Sequence, residues 1–175
     1  MLPTEEEFFA ALCERHGEAL QLLDCDFVEL TNLNRQQYLP SQIGMEKAKA
    51  MRDNIRAIAP YCDITAQTVR LNERNIPVLL DWCPFICECF DRADQKAMLV
   101  NTVLERLPQA YLVAASGMAG LGSANSIQTR QITPHFYLCG DGTSDSAQSG
   151  GLFSARVAVC AAHQANAVLR LIANT

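Results

Sequence analysis

Residues 22–36 read LLDCDFVELTNLNRQ. Leu22 and Leu23 have strand character, and the polar loop after them carries two asparagines and an arginine. Ligands gather at the carboxyl ends of strands in an open parallel sheet, so Asp24 and Asp26 are expected where a sugar hydroxyl can be held. The alternative is that both are solvated acids in a turn.

Strand and helix signals alternate around this stretch, which predicts an α/β fold for residues 1–175 as a single domain. The predicted sheet is Rossmann-like and mostly parallel, with helices on both faces. Helices are predicted from a capping box at Thr4 to about residue 17, and over residues 45–59, 76–82, 93–107 and 153–173. Further strands are predicted over residues 62–69, 84–90, 111–115, 127–132 and 135–139.

The charge and hydropathy of the sequence argue against a nucleic-acid-binding protein and against a membrane-spanning one. The 175 residues carry a formal net charge of −5, which provides no basic surface for a nucleic-acid backbone. No apolar run approaches the roughly 20 residues that span a bilayer, and the first residues lack the basic flank of a secretory signal. We therefore expect a cytoplasmic protein with a small ligand, and no membrane or nucleic-acid partner.

The eight cysteines are scattered through apolar segments, where most are expected to be small buried hydrophobes. Cys83, Cys87 and Cys89 form a cluster, but structural zinc usually needs two pairs of ligands. The sequence has no second such pair, so no zinc is expected.

The spacing of polar residues around the first strand resembles the signature of the ThiF/MoeB-like, or ubiquitin-activating-enzyme-like, adenylyltransferases, and among them most resembles ThiF. The similarity lies in Asp24-x-Asp26-x-Val28-x-x-Thr31-Asn32-Leu33-Asn34-Arg35-Gln36 and the later Gly44-x-x-Lys47. The resemblance implies that Asp24 binds the ATP ribose, that Arg35 and Lys47 contact the phosphates, and that Asn32 and Gln36 shape the same pocket. Cationic groups there can neutralise the charge that builds as pyrophosphate leaves.

The same resemblance implies a magnesium-binding acid after the predicted strand 84–90, and by position this acid is Asp91. One well-placed carboxylate suffices, because Mg²⁺ takes its other ligands from phosphates and water. Alternatively, Asp91 caps the helix that follows.

The main departure from the family is a missing strand, glycine-rich turn and helix before the acidic strand. Gly17 is the only glycine in the first 24 residues, so no turn there can cradle phosphates with its backbone N–H groups. Residues 116–123 contain G-x-x-G-x-G, but no helical pattern follows them, which disfavours a phosphate loop.

The resemblance implies an enzyme: ATP and Mg²⁺ adenylate the C-terminal glycine of a ubiquitin-like sulfur carrier, ThiS-like and ending in Gly-Gly, for thiamine thiazole sulfur transfer. A homodimer is expected. Residues 140–151, rich in glycine and serine, are expected to be a mobile loop that suits a carrier's tail. Cys139, the last residue of the predicted strand 135–139, is either a persulfide-exchanging thiol or inert. The alternative function is a non-catalytic relative that binds the carrier but has lost ATP binding.

Overall fold

The fold is seen in a computed structural model that describes residues 19–174. The chain divides into two compact units, one ending at Leu71 and the other beginning at Asn72. The predicted N-terminal helix lies outside the described residues. The single-domain organisation over residues 1–175 stays a prediction.

The first unit is built on two parallel strands, β1 (Leu20–Asp24) and β2 (Ile64–Thr68). Parallel strands need a crossover connection, and here it contains two short 3₁₀ turns and the helix α1 (Lys47–Ile58). The register pairs Leu20 with Ile64 and Asp24 with Thr68. This register brings the carboxyl ends of both strands to the same edge.

A small apolar core joins α1 to this strand pair. Its buried members are Ile55, Ala59, Cys62 and Ile64, and the partly buried Leu20, Leu22 and Met51 pack against them. The predicted amphipathic helix is confirmed, but it begins two residues later than expected. Met45 precedes it and is exposed, as is Ile58 at its last residue.

The second unit contains a four-stranded sheet in the order β3-β4-β6-β5. Its strands are β3 (Phe85–Cys87), β4 (Tyr111–Ala115), β5 (Gln128–Thr133) and β6 (Phe136–Gly140), of which only β5 is antiparallel to its neighbour. Its helices are α2 (Ile76–Leu80), α3 (Ala93–Arg106) and α4 (Ser154–Ala173). None of the described helices is both long and apolar enough to cross a bilayer.

Strand β4 lies at the centre of this unit. Leu112, Val113, Ala114 and Ala115 are all at most 3% exposed. Successive side chains of a strand point to opposite faces, so both faces of β4 are covered. Helices α3 and α4 contact β4, and α4 also contacts the other three strands. The predicted α/β fold with a mostly parallel sheet is confirmed.

Strand β3 is shorter than the prediction of residues 84–90, because the chain turns at Glu88. The Glu88 side chain bends back to accept a hydrogen bond from Phe90 N at 2.6 Å. Both of its carboxylate oxygens lie 3.0 Å from Lys96 Nζ, and Glu88 is only 1% exposed. The chain therefore leaves the sheet at this buried ion pair, three residues before Asp91.

Candidate functional site

Asp24 is the last residue of β1, as the sequence predicted, and its side chain is half-buried. Its Oδ1 accepts a hydrogen bond from Asp26 N at 2.8 Å. Burial raises the pKa of the Asp24 carboxyl, against the opposing effects of this hydrogen bond and of the Lys47 charge. A partly desolvated carboxyl thus stands at the strand end, where it can accept a hydrogen bond from a hydroxyl group.

Lys47 begins α1, and the fold brings it to the end of β1. Its Nζ lies 3.2 Å from Asp26 Oδ2, and its backbone N donates to Asp26 O at 2.9 Å. The Lys47 side chain is 12% exposed and that of Asp26 is 60% exposed. Sequence reasoning identified Lys47 as a site residue but did not predict its pairing with Asp26. The only signal for that pairing was the presence of a second acid two residues after Asp24.

Asn32 organises the loop after β1. It is 6% exposed, and its Oδ1 accepts from Glu29 N at 2.8 Å. Its backbone carbonyl accepts from Arg35 N at 3.1 Å and from Gln36 N at 2.9 Å. Asn32 therefore fixes the loop that carries Arg35 and Gln36, and its role in an ATP pocket stays a prediction.

Arg35 and Gln36 have different surroundings. Arg35 Nη1 donates to Thr31 O at 2.9 Å and to Asn34 Oδ1 at 3.0 Å, whereas a guanidinium carries five donors in all. Gln36 Oε1 is buried and has no hydrogen-bond partner among residues 19–174. A buried acceptor without a partner is rare in folded proteins, so this oxygen marks an unfilled hydrogen-bonding position beside the loop.

These residues fit part of the ATP molecule that the family signature implies. The Asp24 carboxyl suits a ribose hydroxyl, and the cations of Lys47 and Arg35 suit a triphosphate. The unpartnered Gln36 oxygen suits a hydrogen-bond donor. The phosphate cradle is the exception. Within residues 19–71 the only glycine is Gly44, and its N–H already donates to Val28 O at 2.9 Å.

Asp91 belongs to the second unit, in the turn between β3 and α3, and it is exposed. The N-cap of α3 is Arg92, so Asp91 does not cap this helix. Its role as a magnesium ligand stays a prediction.

Potential metal ligands converge elsewhere. In residues 19–174, three such side chains come within 4.8 Å of one another only at Asp24, Cys25 and Asp26. The cluster of Cys83, Cys87 and Cys89 forms no such group. The expected absence of zinc stays a prediction.

Two loops of the second unit are joined by a buried ion pair that the sequence did not predict. Arg156 Nη2 lies 2.6 Å from Asp141 Oδ2, and Nη1 donates to Ser123 O at 2.7 Å. The side chains are 6% and 12% exposed. Residues 140–151 were expected to be mobile, but this pair and the hydrogen bond from Gly120 N to Gly151 O tie them to residues 116–123.

Hydrogen bonds to Asp141 keep its carboxyl group ionised, as the pair with Arg156 requires. Burial alone raises the pKa of a carboxyl, but hydrogen bonds from Ser144 and Thr143 outweigh burial and hold the pKa of Asp141 at about 2. Both backbone donors lie 2.8 Å from Asp141 Oδ1. Gly117 must lack a side chain, because a Cβ there would overlap this carboxylate.

Two cysteines of the second unit are ill suited to chemistry with a partner. Cys139 and Cys160 are both 0% exposed, and burial raises the pKa of Cys139. Thiol nucleophiles need access and a thiolate, so the structure favours an inert Cys139 over a persulfide-exchanging one.

Residues 11–175 match the sequence profile of the ThiF family. The chain belongs to the ThiF family. The family signature on which the sequence comparison rested is thus confirmed, and its residues lie around the end of β1 and the start of α1.

The ThiF-family chain has curated relatives with two different names. It is 28% identical over 158 residues to the adenylyltransferase and sulfurtransferase UBA4 of Saccharomyces cerevisiae. The aligned region covers 86% of this chain and 35% of UBA4. It is also 28% identical over 116 residues to the tRNA threonylcarbamoyladenosine dehydratase of Escherichia coli. The aligned region covers 65% of this chain and 42% of that protein. The chain spans about a third of the length of UBA4.

A solved structure shows the same ThiF-family fold. The E. coli tRNA N6-threonylcarbamoyladenosine dehydratase TcdA, determined in complex with ATP, superposes with a TM-score of 0.75. The two chains are 22% identical, and the superposition covers 96% of this chain and 83% of that one. At this identity, the likeness establishes the Rossmann-like α/β fold.

Proposed function

We propose that this ThiF-family chain adenylates the C-terminal carboxylate of a ubiquitin-like sulfur carrier, using ATP. The observation that carries the proposal is the convergence of Asp24, Asp26 and Lys47 at the carboxyl end of β1. A hydroxyl acceptor and a mostly buried cation at one strand end match a nucleotide's ribose and phosphates. The similarity to UBA4, an adenylyltransferase and sulfurtransferase, supports the same chemistry.

In the proposed reaction, a carrier carboxylate oxygen attacks the α-phosphorus of ATP, the bond to the β-phosphate oxygen breaks, and pyrophosphate leaves with its electron pair. Asp24 orients the ribose by accepting a hydrogen bond from a hydroxyl group. Lys47 and Arg35 stabilise the negative charge on the departing oxygens. Asp91 would hold Mg²⁺, which supplies further charge neutralisation at the phosphates.

The carrier is ThiS-like, ends in Gly-Gly and delivers sulfur to the thiamine thiazole, and the enzyme acts as a cytoplasmic homodimer. The net charge of −5 disfavours a polyanionic RNA substrate. The similarity to a tRNA dehydratase makes tRNA the control substrate for the experiment.

The test is pyrophosphate release by the purified chain at ATP concentrations high enough to offset weak binding. We expect release to depend on a carrier ending in Gly-Gly and to disappear when the carrier lacks its last glycine. Release that needs tRNA instead would identify another substrate. Absence of release with either substrate favours the non-catalytic carrier-binding alternative.

The missing glycine-rich segment leads to a prediction on affinity. Each charge-assisted hydrogen bond to a phosphate contributes on the order of 1.5–3 kcal/mol. Without two of them, ATP should bind roughly a hundredfold more weakly or worse. Calorimetry should therefore show weak Mg-ATP binding by the chain as it stands.

The matched variant carries a strand-turn-helix segment from a relative inserted immediately before Leu20, so that β1 and its pairing with β2 stay intact. Restored Mg-ATP binding would show that the residues at the end of β1 form a competent but truncated site. Tight binding by the unmodified chain would contradict the prediction and would direct attention to residues 117–123.

A further inference from the structure

Two thiols meet where β3 ends. Cys87 is the last residue of β3 and Cys89 follows two places later, with their Sγ atoms 3.9 Å apart. The Cys89 thiol donates to the Cys87 sulfur. Cys89 is exposed and Cys87 is half-buried, so Cys89 is the more accessible of the two to an oxidant in solution.

We propose that Cys87 and Cys89 form an oxidant-sensitive dithiol that closes to an intrachain disulfide when a hydroperoxide reaches Cys89. The exposed Cys89 thiolate first attacks the peroxide, giving a sulfenic acid and releasing hydroxide or an alkoxide. The Cys87 thiol then attacks the sulfenic sulfur, forming the S–S bond and releasing water. Overall, two thiols lose two electrons and two protons to the peroxide.

The other described thiols of this unit are poorly suited to the reaction. Burial raises the pKa of Cys83 to about 11 and that of Cys160 to about 12. Cys139 and Cys160 are also fully buried. Since the reacting sulfur must meet the oxidant and have a second sulfur nearby, the exposed Cys89 with Cys87 at 3.9 Å is the reactive pair.

Gln164 on α4 holds the Cys87 end of the pair in place. Its Nε2 lies 3.6 Å from Cys87 Sγ and donates to Glu88 O at 2.8 Å. These two contacts fix the position of the Cys87 sulfur relative to the backbone that leads to Cys89. The backbone between the two cysteines is fixed by the same amide.

Closing the disulfide disturbs the residue between the cysteines. The two sulfurs must approach from 3.9 Å to about 2.05 Å. Glu88 lies between them, and its carboxylate accepts hydrogen bonds from Phe90 N and from Ala115 N at 3.3 Å. The approach therefore pulls on both hydrogen bonds, which amide exchange can detect.

The experiment treats the full unsubstituted chain with hydrogen peroxide, blocks the remaining thiols by alkylation, and maps peptides by mass spectrometry. We expect the peptide containing Cys87 and Cys89 to be two hydrogens lighter, unalkylated at both residues, and restored by a reductant. Amide exchange at Phe90 and Ala115 should become faster in the oxidised form.

Cysteine variants test which residues form the disulfide. Cys83→Ala removes a nearby cysteine of the same segment and should leave the disulfide unchanged, whereas Cys87→Ser should leave Cys89 to proceed to sulfinic acid. In the unsubstituted chain, sulfinic acid at Cys89, pairing with Cys83, or a link between chains would overturn the proposal. This main measurement does not depend on whether any variant folds.

Discussion

Replacing Asp141 with asparagine is expected to lower the free energy of unfolding by about 3–5 kcal/mol. The change leaves the guanidinium of Arg156 buried without its counter-charge, and its Nε already lacks a hydrogen-bond partner among the described residues. Chemical denaturation at neutral pH measures the loss. The effect arises in the loops of residues 116–123 and 140–151, which the ion pair joins.

Asp94→Asn is the matched control. Arg92 and Asp94 are 2.7 Å apart, close to the 2.6 Å of the buried pair, but their side chains are 66% and 58% exposed. Solvent screens an exposed pair, so this change should cost less than about 1 kcal/mol. Equal losses for both variants would show that burial of the Asp141–Arg156 pair has no special importance.

The hydrogen bonds that Ser144 and Thr143 donate to Asp141 predict a pH dependence. The pKa of Asp141 falls from 3.8 to about 2 on folding, so the folded state binds the proton less tightly than the unfolded state does. The stabilisation is complete above the unfolded pKa and is lost as the pH falls through the folded one. The difference in unfolding free energy between the unsubstituted chain and Asp141→Asn should therefore shrink as the pH is lowered from 4 towards 2.

Arg35→Ala and Asp91→Asn should abolish pyrophosphate exchange in any form of the protein that has activity. Loss of one group that stabilises transition-state charge typically costs a factor of about 10²–10³ in rate. The melting temperature should be almost unchanged, since Asp91 is exposed and the Arg35 side chain donates only to its own loop in the described contacts.

Lys49→Ala provides a matched control for these variants. Lys49 is two residues beyond Lys47 on α1, and it pairs with Glu46 at the surface. We expect its loss to leave exchange unchanged. If either Arg35→Ala or Asp91→Asn unfolds the chain, the replaced residue is structural and its assignment to the site is wrong.

Much of the fold could be predicted from local patterns. Residues 111–115 are a continuous apolar run, and the strand β4 has these bounds because both of its faces are buried. Residues 84–90 were predicted as a strand from a similar run, but β3 ends at Cys87. The difference lies in Glu88, whose partner Lys96 is on the next helix and is not visible in a strand pattern.

The candidate site was only partly predictable for the same reason. Fixed spacing identified Asp24 and Lys47, whereas the contact between Lys47 and Asp26 joins residues 21 positions apart. Arg156 gave no signal, because one arginine near the start of an amphipathic helix usually faces solvent. Such pairs are set by tertiary packing, which no local pattern contains.

Strand β5 ends the second sheet, and all six of its residues are exposed. An exposed edge is a template on which other copies can add strands and grow into cross-β fibrils. Here the strand reads QTRQIT, so the charge of Arg130 interrupts it and Pro134 stops its extension. Removing that charge would leave an uncharged, partly β-branched segment, and colloidal solubility rather than folding would then limit the usable concentration of the protein.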